Sequence, residues 1–499
     1  MKWGSKWKWR WSALLCIALL ISIGPDVHAA PKDSFVIKPK YAHVEPFNNG
    51  VALVANDDMK WGLIDKSGRE LIKPQYEITI PTFEEGMVLV SKDGKWGYIN
   101  QSGKEAIKLI YDQGRSFSEG KAAVKVGHKW GYIDKAGTMK IKPAYYDAGK
   151  FAHGRAIVNI AEYKSGIVNH EGNLIHKYDY TIIDDASFDI ASRQMDKDVE
   201  EPNENFLWSV DHNNRWGFLD KVGNEIIPPT YSSPGTMPSD LESENDGFSE
   251  GIAVVELRER YGPFTWAFID RKGNILTELS AYQIRRDNWI SRFVEGRVAF
   301  CTGQPNDMKC GYLDKKGKEI VAPKYDDVVD FSEGLAAVKL NEKWGFVNRK
   351  GEEIVKPKYK EVIDFANGLA AVMVNDKYGF INKKGAAVIK AKYDAVDEFK
   401  DGRAWVSIDN KWGVIDQSGK VIIDLKYGLH FSSMYPTSRV TKSDLIIASK
   451  NEKYGFIDQS GKELTEFIYK KLEMPIEGLA AASLDGEKWG FITIPVSTQ

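Results

Sequence analysis

Cysteine is nearly absent: three residues in a chain of 499, too few for a disulfide-dense scaffold or a Cys-rich metal fold. An excess of either charge is missing as well. Lys and Arg number 68 against 70 Asp and Glu, a formal net charge of −2, so nothing global points to nucleic acid or to an anionic membrane surface. Beyond residue 30 no apolar run approaches the ~18 residues of a membrane-spanning helix. The familiar catalytic signatures are also missing. There is no HExxH or CxxC, and Gly-Lys, as at Gly103-Lys104 and Gly461-Lys462, never precedes Ser or Thr, so no phosphate-cradling P-loop exists. Hydrophobic residues at 43% and charged residues at 28% exclude wholesale disorder. What the chain has in abundance is 15 Trp, 22 Tyr, 22 Phe and 44 Gly, and these are periodic.

The first residues read as an address. Lys2, Lys6, Lys8 and Arg10 precede an apolar stretch from Ser12 to Gly24 that is too short to span a bilayer, and Val27-His28-Ala29 offers small residues where a signal peptidase cuts. Residues 1–29 are therefore expected to be a cleavable signal peptide, with Leu15 too bulky for a lipidation site at Cys16. Loss of the four cations and Asp26 takes the net charge from −2 to −5. The expected location is extracellular or in the cell envelope, with no membrane span in the mature chain.

From there one phrase recurs, cleanest as KWGFVNRKGEEIVKPKYKEVIDFANGLAAVMVND from Lys343 to Asp376. Its anchor is an aromatic before Gly: Trp61, Trp96, Trp130, Trp216, Trp344, Tyr378, Trp412, Tyr454 and Trp489. Degenerate copies stand at Ser165-Gly166, Trp266-Ala267 and Cys310-Gly311. These are twelve units, and seven of the eleven spacings are 34 or 35 residues, the mark of a repeat architecture. Within a unit, Trp344 to Asn348 alternates large and small side chains as a strand does. Arg349-Lys350-Gly351 reads as a tight turn. Glu353 to Tyr359 reads as a strand whose Pro357, lacking an N–H, belongs at an edge or bulge. Val362 to Phe365 is a candidate short strand, and Asn367-Gly368 turns the chain into Leu369 to Val374. The fold class is all-β, with three or four short strands per unit. Ala122-Ala123, Ala336-Ala337, Ala370-Ala371 and Ala480-Ala481 put small side chains where neighbouring sheets approach. Sheets this small cannot bury a face alone, so the units must stack.

The chain enters the phrase midway, at Ile37 to Tyr41, and leaves it on the anchor strand, Trp489 to Ile492. A propeller-like or toroidal closure would use that offset, because closure removes free sheet edges. An open superhelical β-solenoid cut at the same phase reads identically. Residues 178–207 break the period and divide a first sub-array, 30–177, from a second, 208–499. Residues 231–247 form another insertion.

The phrase resembles the WG-repeat (KWG repeat) family of bacterial proteins, in which Trp-Gly opens a strand followed by a turn and a Pro-Tyr segment. The resemblance covers about residues 35–494. It implies a repeat scaffold that binds something, with no shared catalytic residues and no cofactor to carry over.

The remaining candidates for chemistry are few. The anchor tryptophans serve as core between sheets or as sugar-stacking platforms, and the aromatics outside the register, Trp208, Trp289 and Trp405, are further platform candidates. His153, His170 and His176 gather around the degenerate fourth unit, either as metal ligands or as surface histidines. Asp240, Glu242, Glu244 and Asp246 before Gly247 are similar to a calcium loop, but the acid required at its twelfth position is missing. Asp65, Asp134, Asp220, Asp270, Asp314, Asp416 and Asp458 recur at turns, where capping explains them. No catalytic, cofactor-binding or metal residue is assigned. Cys301 and Cys310 align with Lys339 and Trp344 and so face each other across a hairpin. A disulfide between them would replace the missing Trp, and secretion would permit it.

The expectation is a secreted, non-enzymatic repeat protein that meets a protein or cell-wall polysaccharide through many weak contacts. The rival expectation is an extracellular hydrolase or lyase with its site among the irregular units, residues 178–310.

Overall fold

The computed structural model describes residues 35–179, 181–183, 207–210, 215–219, 224–231, 248–258, 264–279, 290–304, 307–429 and 445–494. All of them belong to one compact unit, Phe35–Gln499. The expected signal peptide and most of the 178–207 insertion lie outside the described residues. Among the described residues every regular element is a strand. They form nine four-stranded sheets, one of three strands and one of six. The six-stranded sheet carries both the Trp412 and the Tyr454 anchor strands, so the sheets account for the twelve expected units.

One unit shows how the phrase folds. Asp327–Val328, Leu335–Leu340, Lys343–Asn348 and Glu353–Tyr359 are its first to fourth strands, each antiparallel to the next. The anchor strand is thus the third of four, and the Pro strand lies at the sheet's edge, where a missing N–H costs no ladder bond. Between the second and third strands, Asn341 and Glu342 take φ of 50° and 60°, the two-residue turn whose twist matches its strands. Between the third and fourth, Asn348 Oδ1 accepts from the N–H groups of Lys350 (2.9 Å) and Glu352 (3.0 Å). Asp65, Asp134, Asp270, Asp314, Asp416 and Asp458 accept the same pair of turn amides in their own units. Asp220 lies outside the described residues.

The Gly of the anchor pair is there for clearance. The fourth strand shifts register between Trp344↔Tyr359 and Phe346↔Val355, and its backbone presses on Gly345. A Cβ there would lie 2.3 Å from the Val355 carbonyl oxygen and 2.6 Å from the Pro357 nitrogen.

Cores form between units, not within them. Each hydrophobic cluster draws on two consecutive units, as the cluster of Ala337, Phe346 and Val355 with Phe365, Ala370 and Val372 does. The paired alanines serve both neighbours, because strand side chains alternate faces. Ala370 packs toward the preceding unit and Ala371 toward the following one. At the expected junction of the two sub-arrays, Ile167, Tyr178 and Ile182 share a cluster with Leu219.

The two ends of the array meet in one sheet. Phe35–Tyr41 pairs with Trp489–Thr493 as its fourth strand, in a register that places Tyr41 opposite Trp489, as Tyr359 lies opposite Trp344. Gly490 meets the Ile37 carbonyl oxygen at 2.3 Å from a Cβ position, as Gly345 meets Val355. One cluster holds Phe491 together with Phe47 and Val54, so the last unit packs on the first.

Candidate functional site

The joints between units are aromatic, and they define which surface is left over. The residue after the anchor Gly, not the anchor itself, is the most buried: Phe346, Tyr98, Tyr132, Phe218 and Phe268 are all 0% exposed. Each meets, edge to face, a Phe that lies on the next unit's first strand or just after it. Ring centroids are 4.9 Å apart in Tyr98–Phe117, Tyr132–Phe151, Tyr312–Phe331 and Phe346–Phe365, and 4.8 Å apart in Phe380–Phe399. Phe491–Phe47 repeats the geometry at 4.8 Å across the two ends. Such pairs add about 0.5–1.5 kcal/mol beyond burial. Where the residue is Tyr, its hydroxyl donates to the residue directly after the next unit's first strand: Tyr98 to the Arg115 carbonyl at 2.7 Å, Tyr132 to that of Gly149 at 2.8 Å, Tyr312 to that of Val329 at 2.6 Å. Burial holds the Tyr98 and Tyr312 phenols far above their ordinary pKa, so they remain donors.

A second device joins the turns. Glu333 Oε2 accepts from the Gly368 N–H at 2.9 Å and pairs with Lys383 Nζ at 3.1 Å, both on the following unit. Glu85 does the same with Gly120 and Lys135, and Glu250 with Gly296 and Lys315. Glu477 reaches from the last unit to Gly50 and Lys66 of the first.

The anchors fill the flanks of these cores. Trp61, Trp130, Trp266 and Trp489 are buried, while Trp96, Trp216, Trp344, Tyr378, Trp412 and Tyr454 are half-buried. Trp405 is half-buried against the cluster around Tyr427. Trp208 sits on the strand Leu207–Val210, and Trp289 lies outside the described residues, as does the acidic loop 240–247. The three histidines do not converge on a common centre. His170 pairs with Glu119 at 3.0 Å, His176 stacks on Tyr178, and among the described residues no group of three His, Cys, Asp or Glu side chains could hold a metal. Since Lys121 Nζ lies 3.2 Å from His170 Nδ1 and can only donate, that nitrogen accepts and Nε2–H faces Glu119.

Cys301 and Cys310 stand directly opposite each other, in the register that Lys339 and Trp344 occupy one unit later. Their sulfurs are bonded, with an S–S distance of 2.04 Å. A chain lacking residues 1–29, denatured without reductant, is expected to show no titratable thiol; two reactive thiols would contradict the pairing.

On this regular frame, chemistry varies at the one or two residues ahead of that joint Phe. Arg115, Lys150 and Arg292 occupy these positions in the third, fourth and seventh units, counted by first strand from His43–Val44. Asp330, Asp364 and the pair Asp397-Glu398 follow in the eighth, ninth and tenth; Glu45 stands two residues ahead of Phe47 in the first, and Glu473 holds the matching place in the last, where no Phe follows. Sequence reasoning passed over this row, although a constant 19-residue spacing from Phe346 to Phe365, Tyr98 to Phe117 and Phe380 to Phe399 marks its frame. Burial pushes the Asp330, Asp397 and Glu45 carboxyls above the usual range. Burial, and then the charges of Asp330 and Glu398, push Asp364 up to about 6. Burial and Glu45 likewise raise Glu473, although its side chain is exposed. At the basic positions, Arg115 pairs with Asp147 at 3.0 Å and lies over the Trp130 ring at 5.3 Å.

The fold and this row define an array of small antiparallel sheets that share cores and carry a variable charged row at the ends of their first strands. The chain belongs to the family of WG-containing repeat proteins, whose model matches residues 31–59, 61–96, 96–130, 130–162, 216–233, 311–344, 344–378, 378–412, 412–428 and 454–489, more than half of its length. No curated protein matches it. Among solved structures it is similar to a eukaryotic initiation factor, at 12% identity over 68% of this chain and 96% of that one, with a TM-score of 0.30. It is also similar to BamB from Moraxella catarrhalis, at 12% identity over 61% and 93% with a TM-score of 0.22. A third is PorZ from Porphyromonas gingivalis, described as a bacterial surface component of the type-IX secretion system, at 11% identity over 91% and 80% with a TM-score of 0.20. Likeness at these scores carries no statement about what this chain does.

Proposed function

We propose that this chain is a secreted or cell-surface, non-enzymatic repeat protein that binds a protein or polysaccharide partner through many weak contacts at the ends of its first strands. The observation that carries the reading is the row ahead of the joint Phe. It changes from Arg115, Lys150 and Arg292 to Asp330, Asp364 and Glu398 while the joint behind it stays the same. A scaffold that keeps its core and varies one accessible row puts selectivity in that row. The N-terminal segment of residues 1–29 supports an extracellular or envelope location.

The test is binding of the chain without residues 1–29 to separated envelope protein and polysaccharide fractions. Asp330→Asn, Asp364→Asn and Glu398→Gln together should weaken binding about tenfold or more. The same number of neutral changes at hairpin tips (Glu342→Gln, Asp376→Asn, Asp409→Asn) should leave it unchanged. Equal effects from the two triples, or no effect from the first, would overturn the reading.

A further inference from the structure

We propose that the joints around Phe331, Phe365 and Phe399 form an acid-responsive element, in which mild acidification tightens the packing of three consecutive units. This goes beyond the binding reading and does not rest on it. Stacking places one carboxylate from each unit at the same register, immediately ahead of the joint Phe: Asp330, Asp364 and Glu398. Because the Phe rings are fixed in their edge-to-face pairs with Tyr312, Phe346 and Phe380, the acids cannot separate without opening a joint. Like charges held together in partly desolvated positions oppose the packing that holds them.

The titratable groups that face the middle acid from the elements packed against it include Asp330, Glu398 and the buried Tyr312 phenol. Asp330 on the preceding unit and Glu398 on the following one both repel Asp364. The cations of this region are engaged elsewhere. Arg292 acts on Asp330, Lys400 on Asp397, and Lys339 on Asp326 and Asp327. On its own strand's approach, Glu361 is bonded to the Tyr378 hydroxyl and adds no positive charge. The charges that act on Asp364 are thus both negative, whereas the turn acids Glu333 and Glu295 each have a cation beside them, Lys383 and Arg349.

The sign follows from linkage. Asp364 titrates near 6 in the folded chain and near 3.9 when unfolded. The folded state therefore binds the extra proton across that window, and stability rises as pH falls through 6. Asp330, Asp327 and Asp397 are raised too and add in the same direction. Acids held below the usual range, such as Asp65, Asp326 and Asp416, lose their contribution only near pH 4 and lower, outside the window.

The experiment is urea unfolding of the full chain from pH 7.5 to 5.0. The folding equilibrium constant should rise up to about tenfold from Asp364 alone over that interval. Asp364→Asn should be more stable than the parent at pH 7.5 and lose most of the rise, while Asp376→Asn, at an exposed acid paired with Lys360, should keep it. If Asp364→Asn does not fold, Glu398→Gln serves, and it should move the rise to lower pH by removing one repelling charge. A parent curve that is flat or falls toward pH 5.0, or a rise that survives Asp364→Asn or stays in place in Glu398→Gln, would overturn the proposal.

Discussion

Deletion of Phe35–Tyr41 should destabilise the folded chain by about 5 kcal/mol, read as a fall in the urea midpoint of unfolding. The segment is seven residues long and supplies the fourth strand of the last sheet. It buries Ile37 and Tyr41, at 4% and 3% exposure, and each fully buried side chain of this size contributes about 1.5–3 kcal/mol. Its ladder to Trp489–Thr493 adds roughly 1 kcal/mol per bond. The loss also strips the cover from Gly490 and Trp489 and leaves an unpaired edge, which invites association between copies. Concentration-dependent light scattering of the deleted chain is the companion observation. A midpoint unchanged by the deletion would mean that the ends do not depend on each other.

The second large effect belongs to the joint. Phe346→Ala removes a ring with no exposure that meets Phe365 at 4.9 Å, and changes of this kind cost about 3–5 kcal/mol. Trp344→Ala, two residues earlier, should cost less, because that side chain is half-buried and flanks the core. The order is the informative part: if the anchor substitution proved the more damaging, the joint would be misplaced. Phe491→Ala should match Phe346→Ala, since Phe491 meets Phe47 at 4.8 Å.

Much of this architecture can be read directly from the repeated phrase, because each repeated residue answers a local demand. Gly345 follows Trp344 where a crossing backbone leaves no room for a Cβ. Asn348 and its Asp equivalents cap the turn amides, and Pro357 sits where no ladder bond is needed. The alanine pairs lie one to each neighbouring core. Less legible was the identity of the joint. Trp draws the eye because it opens the repeated phrase, yet the position after Gly varies among Phe, Tyr, Leu and Val, as in Phe346, Tyr98, Leu63 and Val414, and so hides its constancy. Its partner Phe lies in the next unit, across a turn and two strands. The charged row was invisible for a related reason. Its members share nothing in sequence except their place ahead of that Phe, and they become neighbours only when the units stack. Residues 178–310, where the phrase is least regular, are only partly among the described residues, and Trp289 and the acidic loop lie outside them.

The most direct measurement is hydrogen exchange at the amides of Trp489 to Thr493, compared between the full chain and the chain lacking residues 35–41. If the first strand completes the last sheet, these amides exchange slowly in the full chain and lose most of their protection in the deleted one, while Lys343 to Asn348 changes little. Equal protection at Trp489 to Thr493 in both chains would contradict the pairing of the two ends.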